Sequence, residues 1–312
     1  MYSYRVSGLA VASELDLPGL IPGDPACTAD VAIRRAPVPM TLDDAEATGP
    51  TWQRAGNRFL LRIPNIARFL LEDGRSIAFE ADAAAEPRDV AVFLSGSVFG
   101  ILLHQRNHFV LHSSAVLVGG KAVLFCGVSG AGKSTLAAAL GERGYPLIAD
   151  DQCAVEIGGD GVPRIQADGR QLRLWEKSIV ELGLDGRRGD SMRNRLRKFY
   201  VDPAAAAIDP VAVGAIYALV GIRDPERPAI LGLNAVDATR LLVANAYRPL
   251  LIRRLGQHGD YFQGGAKIAA AAGIFRLKRA FGFELVDGTI AMLEEHWASI
   301  GLIGGGGGDG AR

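Results

Sequence analysis

The sequence predicts an α/β protein, with a smaller β-rich first part and a larger second part of alternating strands and helices. Three observations carry this. Short apolar runs with turn residues between them fill much of residues 1–85. Strands and helices alternate from Phe109 onward. A glycine loop, GVSGAGKST (127–135), joins an apolar strand to a helix.

In the first part RFLLRI (58–63), ARFLLE (67–72) and SIAFEA (76–81) read as strands, and Asp73-Gly74 reads as the turn of a hairpin. AAAEPR (83–88) reads as a linker, with a helix over about 88–104 after it. That helix includes VAVFLSGSVFGILL (90–103), the most apolar stretch of the chain. At 14 residues it falls short of the roughly 20 that a membrane span needs, so a buried helix is expected and no membrane partner. The N-terminus, MYSYRVSGLAVASELDLPG, has no apolar run long enough for a signal peptide.

In the second part SAVLV (114–118) and KAVLFC (121–126) flank Gly119-Gly120 and read as a hairpin. The helix STLAAALGERG follows the loop, and PLIAD (146–150) is a short apolar strand. Further strands are expected within 153–175, over 216–222 and over 229–234, with helices at about 237–246, 265–281 and 289–298. The expected division is 1–87 as the β-rich part, 88–303 as the nucleotide-binding part, and 304–312 (GGGGGDGAR) as a disordered tail.

Composition excludes several classes. Lys+Arg and Asp+Glu both count 34, so the net charge is zero and no global field favours nucleic acid. Cys27, Cys126 and Cys153 are few, scattered and odd in number, which argues against a zinc site or disulfide framework and suits the cytoplasm.

The loop fits G-x-x-x-x-G-K-[ST] without a gap from Gly127 through Val128, Ser129, Gly130, Ala131, Gly132 and Lys133 to Ser134. Glycines let the backbone curl its N–H groups toward phosphate oxygens, and the helix adds its N-terminal dipole. Lys133 would reach the β- and γ-phosphates of ATP, Ser134 would ligate Mg²⁺, and Thr135 would extend the hydroxyl face. Sixteen residues on, the apolar strand ends in Asp150-Asp151. A strand returning beside the loop in the same parallel sheet would set one carboxylate at the metal and the other at the incoming hydroxyl as a base. The plain alternative is a solvent-exposed turn. His112, alone, would ordinarily be a satisfied histidine at a strand start. Between Arg187 and Lys198 six basic residues face only Asp190; they read either as a solvated loop or, through Arg195 and Lys198, as a clamp for phosphate or an acidic substrate segment.

The run LHSSAVLVGGKAVLFCGVSGAGKSTLAAALGERGYPLIADD (111–151) resembles the catalytic core of HPr kinase/phosphorylase: a His before a short strand, the P-loop, a helix ending in E-R-G-Y, then L-I-A-D-D. The resemblance is specific over 109–157 and weaker to about 200. YRVSGL at the start, LLHQR…LHSSAV and QLRLW resemble the divergent HPr kinase-like proteins found with lasso-peptide genes, some of which phosphorylate a serine of the precursor peptide. The resemblance implies a P-loop kinase domain of HPr kinase type that uses Mg²⁺ and ATP and transfers the γ-phosphoryl to a serine of a peptide or protein. It implies Asp150 as the catalytic carboxylate, Asp151 near the metal, His112 as an active-site histidine, and assembly into a homo-oligomer. One departure stands out. The L-E-I-R-G signature of the bifunctional enzymes is absent; the nearest segment reads GRQLRLWEKS (169–178), so phosphorolysis and HPr as acceptor are not carried over. From the residues themselves a small-molecule kinase and a nucleotide-binding regulatory module stay open.

Overall fold

The computed structural model describes residues 1–168, 170–192, 196–224 and 227–304. The expected disordered tail lies, from 305 on, outside the described residues, as does Arg195. The fold is mixed α/β with two large sheets and one small one.

Residues 2–81 form an eight-stranded sheet. Its centre is a meander of Arg58–Ile63, Ala67–Glu72 and Ser76–Ala81, paired antiparallel in unbroken register. Asp73 and Gly74 turn the last hairpin with φ of 54° and 62°, the left-handed pair a two-residue turn requires. One face of the sheet buries Phe59, Phe69, Leu71, Ile77 and Phe79 against the helical segment that follows. That segment is continuous from Pro87 to Gln105, but Leu94–Val98 widens into one π-turn. The expected linker therefore ends earlier, because Pro87 sits in the first helical turn, where its missing N–H costs nothing.

The second sheet has nine strands. Lys121–Cys126 lies at its heart, antiparallel to Ser113–Val118 and parallel to Val211–Gly221, which is parallel in turn to Gly273–Arg279. Helices Lys133–Glu142 and Val286–Ser299 cover one face through Leu136, Leu140, Ile290, Leu293 and Trp297. Helices Ala235–Ala244 and His258–Ala271 cover the other through Leu242, Tyr261 and Ile268. The result is a three-layer arrangement in which three parallel strands end on one edge, where ligands of such sheets sit.

Two expectations change here. The strand Leu147–Asp150 does not pair with the strand that feeds the loop. It pairs antiparallel with Ser113–Val118 and reaches the loop across it, so the sheet is mixed. The helix expected over 265–281 stops at Ala271, and Gly273–Arg279 is a strand. Gly273 breaks the helix, and the Ile274-Phe275 that follows favours the pleated sheet.

Candidate functional site

The site begins where the central strand ends at Cys126. Gly127, Gly130 and Gly132 take φ of 145°, 84° and 83°, so the backbone curls as no run of larger residues would. Helix Lys133–Glu142 starts directly from left-handed Gly132, and no side chain caps it. Its first N–H groups are therefore open to a ligand, with the positive end of the helix dipole behind them. Lys133 folds back over the loop: Nζ donates to the carbonyls of Gly127 at 2.9 Å and Val128 at 3.2 Å. Burial pulls the pKa of this ammonium down. The Thr135 hydroxyl lies 3.1 Å from that of Ser178 and ties the helix to Glu176–Glu181.

The two aspartates stand in different environments. Asp150 is buried, and its carboxylate accepts three hydrogen bonds: from the Ser114 hydroxyl at 2.6 Å, the Ser134 hydroxyl at 2.8 Å and the Arg173 backbone N–H at 3.1 Å. Asp151 leaves the strand with φ of 75°, an unusual conformation for a residue other than glycine. Its carboxylate meets His112 Nδ1 at 3.3 Å and Arg173 Nη1 at 3.1 Å. Burial alone would raise its pKa, but His112 and Arg173 outweigh that and hold it well below the usual carboxylate range. Asp150 holds the hydroxyl that follows the loop lysine, and Asp151 faces the histidine.

A buried polar network supports this turn from behind. Gln152 donates to the Gly96 carbonyl at 2.7 Å. Arg170 donates to Asp168 at 2.8 Å, to Gln152 at 3.1 Å and to the Ser95 carbonyl. Both carbonyls belong to the π-turn. The same network anchors Arg173, which reaches the Ser95 hydroxyl at 3.4 Å.

Two cavities open on either side of the Asp151–His112 pair. The larger, about 960 Å³, is lined by Ser129, Gly130, Gly132, Lys133, Ser134, Thr135 and Asp150, with Trp175, Phe281 and Phe283 on its outer wall. The smaller, about 460 Å³, lies between the π-turn (Gly96, Ser97) and the segment Asn245–Pro249. His112, Asp151 and Arg173 line both.

Of the two basic residues proposed as a clamp, Lys198 lines the larger cavity and sits over the Trp175 ring at 5.8 Å. Most of its described neighbours are occupied locally: Arg187 pairs with Glu142, and Arg188 and Arg197 both pair with Glu176. Arg279 was missed because it fell inside the expected helix. It ends the third parallel strand, is 7% exposed, and donates from Nη2 to the Ala131 carbonyl at 2.8 Å. Its buried Nε has no hydrogen-bond partner, and burial pulls its pKa down. The break at Gly273 is the signal that would have moved it to a strand end beside the loop.

Among the described residues no helix is long and apolar enough to cross a membrane, and no cluster of three or more His, Cys, Asp or Glu forms a metal cage. No protein-family model matches the chain, and no curated protein matches it. A solved structure of the HPr(Ser) kinase/phosphatase from Coxiella burnetii is similar with a TM-score of 0.34 and 15% identity, over 62% of this chain and 98% of that one.

Proposed function

We propose that the chain is a Mg²⁺- and ATP-dependent kinase that phosphorylates a serine hydroxyl of a peptide or protein; a lasso-peptide precursor is one acceptor of this class. One observation carries the reading. Lys133 and Ser134 line only the larger cavity, whereas Asp151 and His112 line both. A donor bound in one cavity and an acceptor bound in the other would meet at that pair.

The larger cavity fits a nucleoside triphosphate. It offers the curled loop, an uncapped helix start, the Lys133 ammonium and the Arg279 guanidinium. Magnesium is commonly held by one or two protein oxygens plus substrate phosphates, so the lack of a protein cage among the described residues suits it. Ser134 and Asp150, already hydrogen-bonded, would hold it. When bound, the metal supplies charge neutralisation on the phosphates.

The reaction breaks the bond between the γ-phosphorus and the β–γ bridging oxygen and forms one to the acceptor oxygen; ADP departs and the hydroxyl proton is released. Asp151 orients the hydroxyl and takes this proton, and His112 and Arg173 hold the carboxylate in place. Such a strongly ionised carboxylate is a weak base. Phosphoryl transfer asks little of a base, because its transition state is loose and proton removal comes late. Positioning then does most of the work. This reading exchanges the roles that the sequence assigned to Asp150 and Asp151.

The test is to follow ADP formation and phosphoserine together, with Mg·ATP and serine-containing peptides. Transfer that requires Mg²⁺ and Asp151 supports the reading. ATP binding without transfer to any hydroxyl overturns it in favour of a regulatory nucleotide-binding module.

A further inference from the structure

The smaller cavity has a feature that phosphoryl transfer does not use. Arg248 lines it with a left-handed backbone, φ 49° and ψ 70°, directly before Pro249. Among the non-glycine residues with positive φ it stands out. Asn and Asp tolerate this region, since their short side chains bond to local backbone, whereas an arginine gains nothing there. Glycine would fit without strain. A charged residue kept at a strained position beside a cavity points to a role for the charge.

The charge is also unpaired. Among the described residues Arg248 makes no ion pair; its Nε reaches the Tyr247 hydroxyl at 3.5 Å, and its guanidinium lies 5.7 Å from the centroid of that ring. The short helix Pro249–Arg254 continues the pattern with Arg253 and Arg254 in its last turn. Arg254 lies over the Trp52 ring at 4.9 Å, and neither it nor Arg253 has a carboxylate partner among the described residues. The groups feel one another: after burial, Arg253 and Arg248 are what lower the Arg254 pKa. Among the described residues the only carboxylate lining the cavity is Asp151, already engaged by His112 and Arg173. Leu250, 56% exposed, sits within the same strip.

We propose that Arg248 and Arg253 recognise acidic residues flanking the hydroxyl of a peptide acceptor seated in the cavity between the π-turn and Asn245–Pro249. Charge complementarity sets the sign of the partner, and the length of the strip sets its kind. Six residues of helix rise about 9 Å, which matches roughly three residues of extended peptide. A single small hydroxy acid would cover only the Arg248 end. The inference rests on the kinase reading for its hydroxyl but not for its charge, so the two can fail separately.

The experiment uses three nine-residue peptides, each with a central serine, flanked by Asp, Gln or Lys. Their affinities for the full chain are read by fluorescence anisotropy at low and high salt. The acidic peptide is expected to bind at least tenfold more tightly than the neutral one, and its advantage should shrink with salt. Arg248→Gly should raise Tm, because it relieves the left-handed strain, yet reduce the preference to less than threefold. Arg253→Glu, on an exposed helix position, should weaken the acidic peptide and strengthen the basic one. Equal binding of the three peptides overturns the inference, as does a preference that survives both substitutions. Glycerate competing as tightly as the acidic peptide would overturn the peptide class. Charge-selective binding with no transfer from ATP would leave this inference standing and overturn the kinase reading. Transfer without charge preference would do the reverse.

Discussion

The Ser134 hydroxyl donates to Oδ1 of Asp150 at 2.8 Å, joining the first turn of the loop helix to the end of a strand that is not its neighbour in the sheet. The Ser114 hydroxyl donates to the same oxygen at 2.6 Å from the strand between them. One buried carboxylate oxygen thus gathers the three elements that frame the loop. A water-exposed turn would not need this, and the contact separates Asp150 from Asp151 in what each can do.

Asp150→Asn should destabilise the fold. All three groups around the carboxylate donate, so an amide NH₂ must face at least one donor. Leaving a buried donor unsatisfied costs about 1–3 kcal/mol, which lowers Tm by about 2–10 °C. Ser134→Ala removes one donor and keeps the carboxylate satisfied, so its loss should be about 1 kcal/mol. Thermal unfolding of the two variants checks this, and an Asp150→Asn protein as stable as its parent would show that the carboxylate is not bound as described.

Asp151→Asn should separate binding from transfer. Among the described residues the Asp151 carboxylate makes no hydrogen bond or ion pair to the loop; its partners are His112 and Arg173. ATP affinity should stay within about threefold of the parent, while phosphoryl transfer falls by about 10²-fold, the scale of a misplaced acceptor hydroxyl. Calorimetry with ATP and a phosphoserine assay give the two numbers. Equal loss of both would place Asp151 on the nucleotide rather than on the acceptor.

The reach of the sequence can be seen in these same residues. The loop, its helix, the hairpin at Gly119-Gly120 and the Asp pair were legible because each depends on local chemistry: glycine conformations, a lysine and hydroxyl at fixed spacing, an apolar run ended by charge. Which partners the two carboxylates meet was not legible. That depends on a crossing in the sheet, where Leu147–Asp150 pairs with Ser113–Val118 and the chain then turns through left-handed Asp151. Arg279, Arg170 and the π-turn were missed for the same reason. Each meets its partners across a long stretch of sequence: Arg279 with Ala131, Arg170 with Ser95. The early strands Tyr2–Val6 and Leu9–Ser13 were passed over because segments of five residues carry a weak pattern.

Lys133→Ala and Arg279→Gln should both weaken ATP binding, by different amounts and without unfolding the protein. The Lys133 ammonium is desolvated and, among the described residues, donates to two loop carbonyls and to no carboxylate, so its removal breaks no ion pair. A charged hydrogen bond of about 3 kcal/mol corresponds to a loss near a hundredfold. Arg279 already spends its Nη2 on the Ala131 carbonyl, so only part of its guanidinium remains for phosphate. A loss of about tenfold is expected for it, with Arg279→Lys intermediate. Titration with ATP checks the order, and parental affinity in Lys133→Ala would remove the loop from nucleotide binding altogether.

Acidification should loosen the smaller cavity through His104. This histidine is buried, its Nε2 lies 3.1 Å from the Tyr247 carbonyl, and its Nδ1 lies 2.8 Å from the Tyr261 hydroxyl. The neutral ring serves both: Nε2–H donates to the carbonyl, and Nδ1 accepts from the hydroxyl. Burial pushes its pKa down to about 4, against an ordinary value near 6.5. The unfolded chain therefore takes up this proton first. The stability that neutral His104 contributes is present in full above about pH 6.5 and is lost as pH falls toward about 4, a change of about 3 kcal/mol. His108, also held down by burial, adds the same sign. His104→Gln has no proton to take up at this position, so the Tm gap between parent and variant should narrow as pH falls from 7.5 to 4.5. Because Tyr247 precedes Arg248, peptide binding by the parent should weaken over the same interval before global unfolding. Parallel Tm curves for parent and variant across that range would show that His104 does not carry the effect.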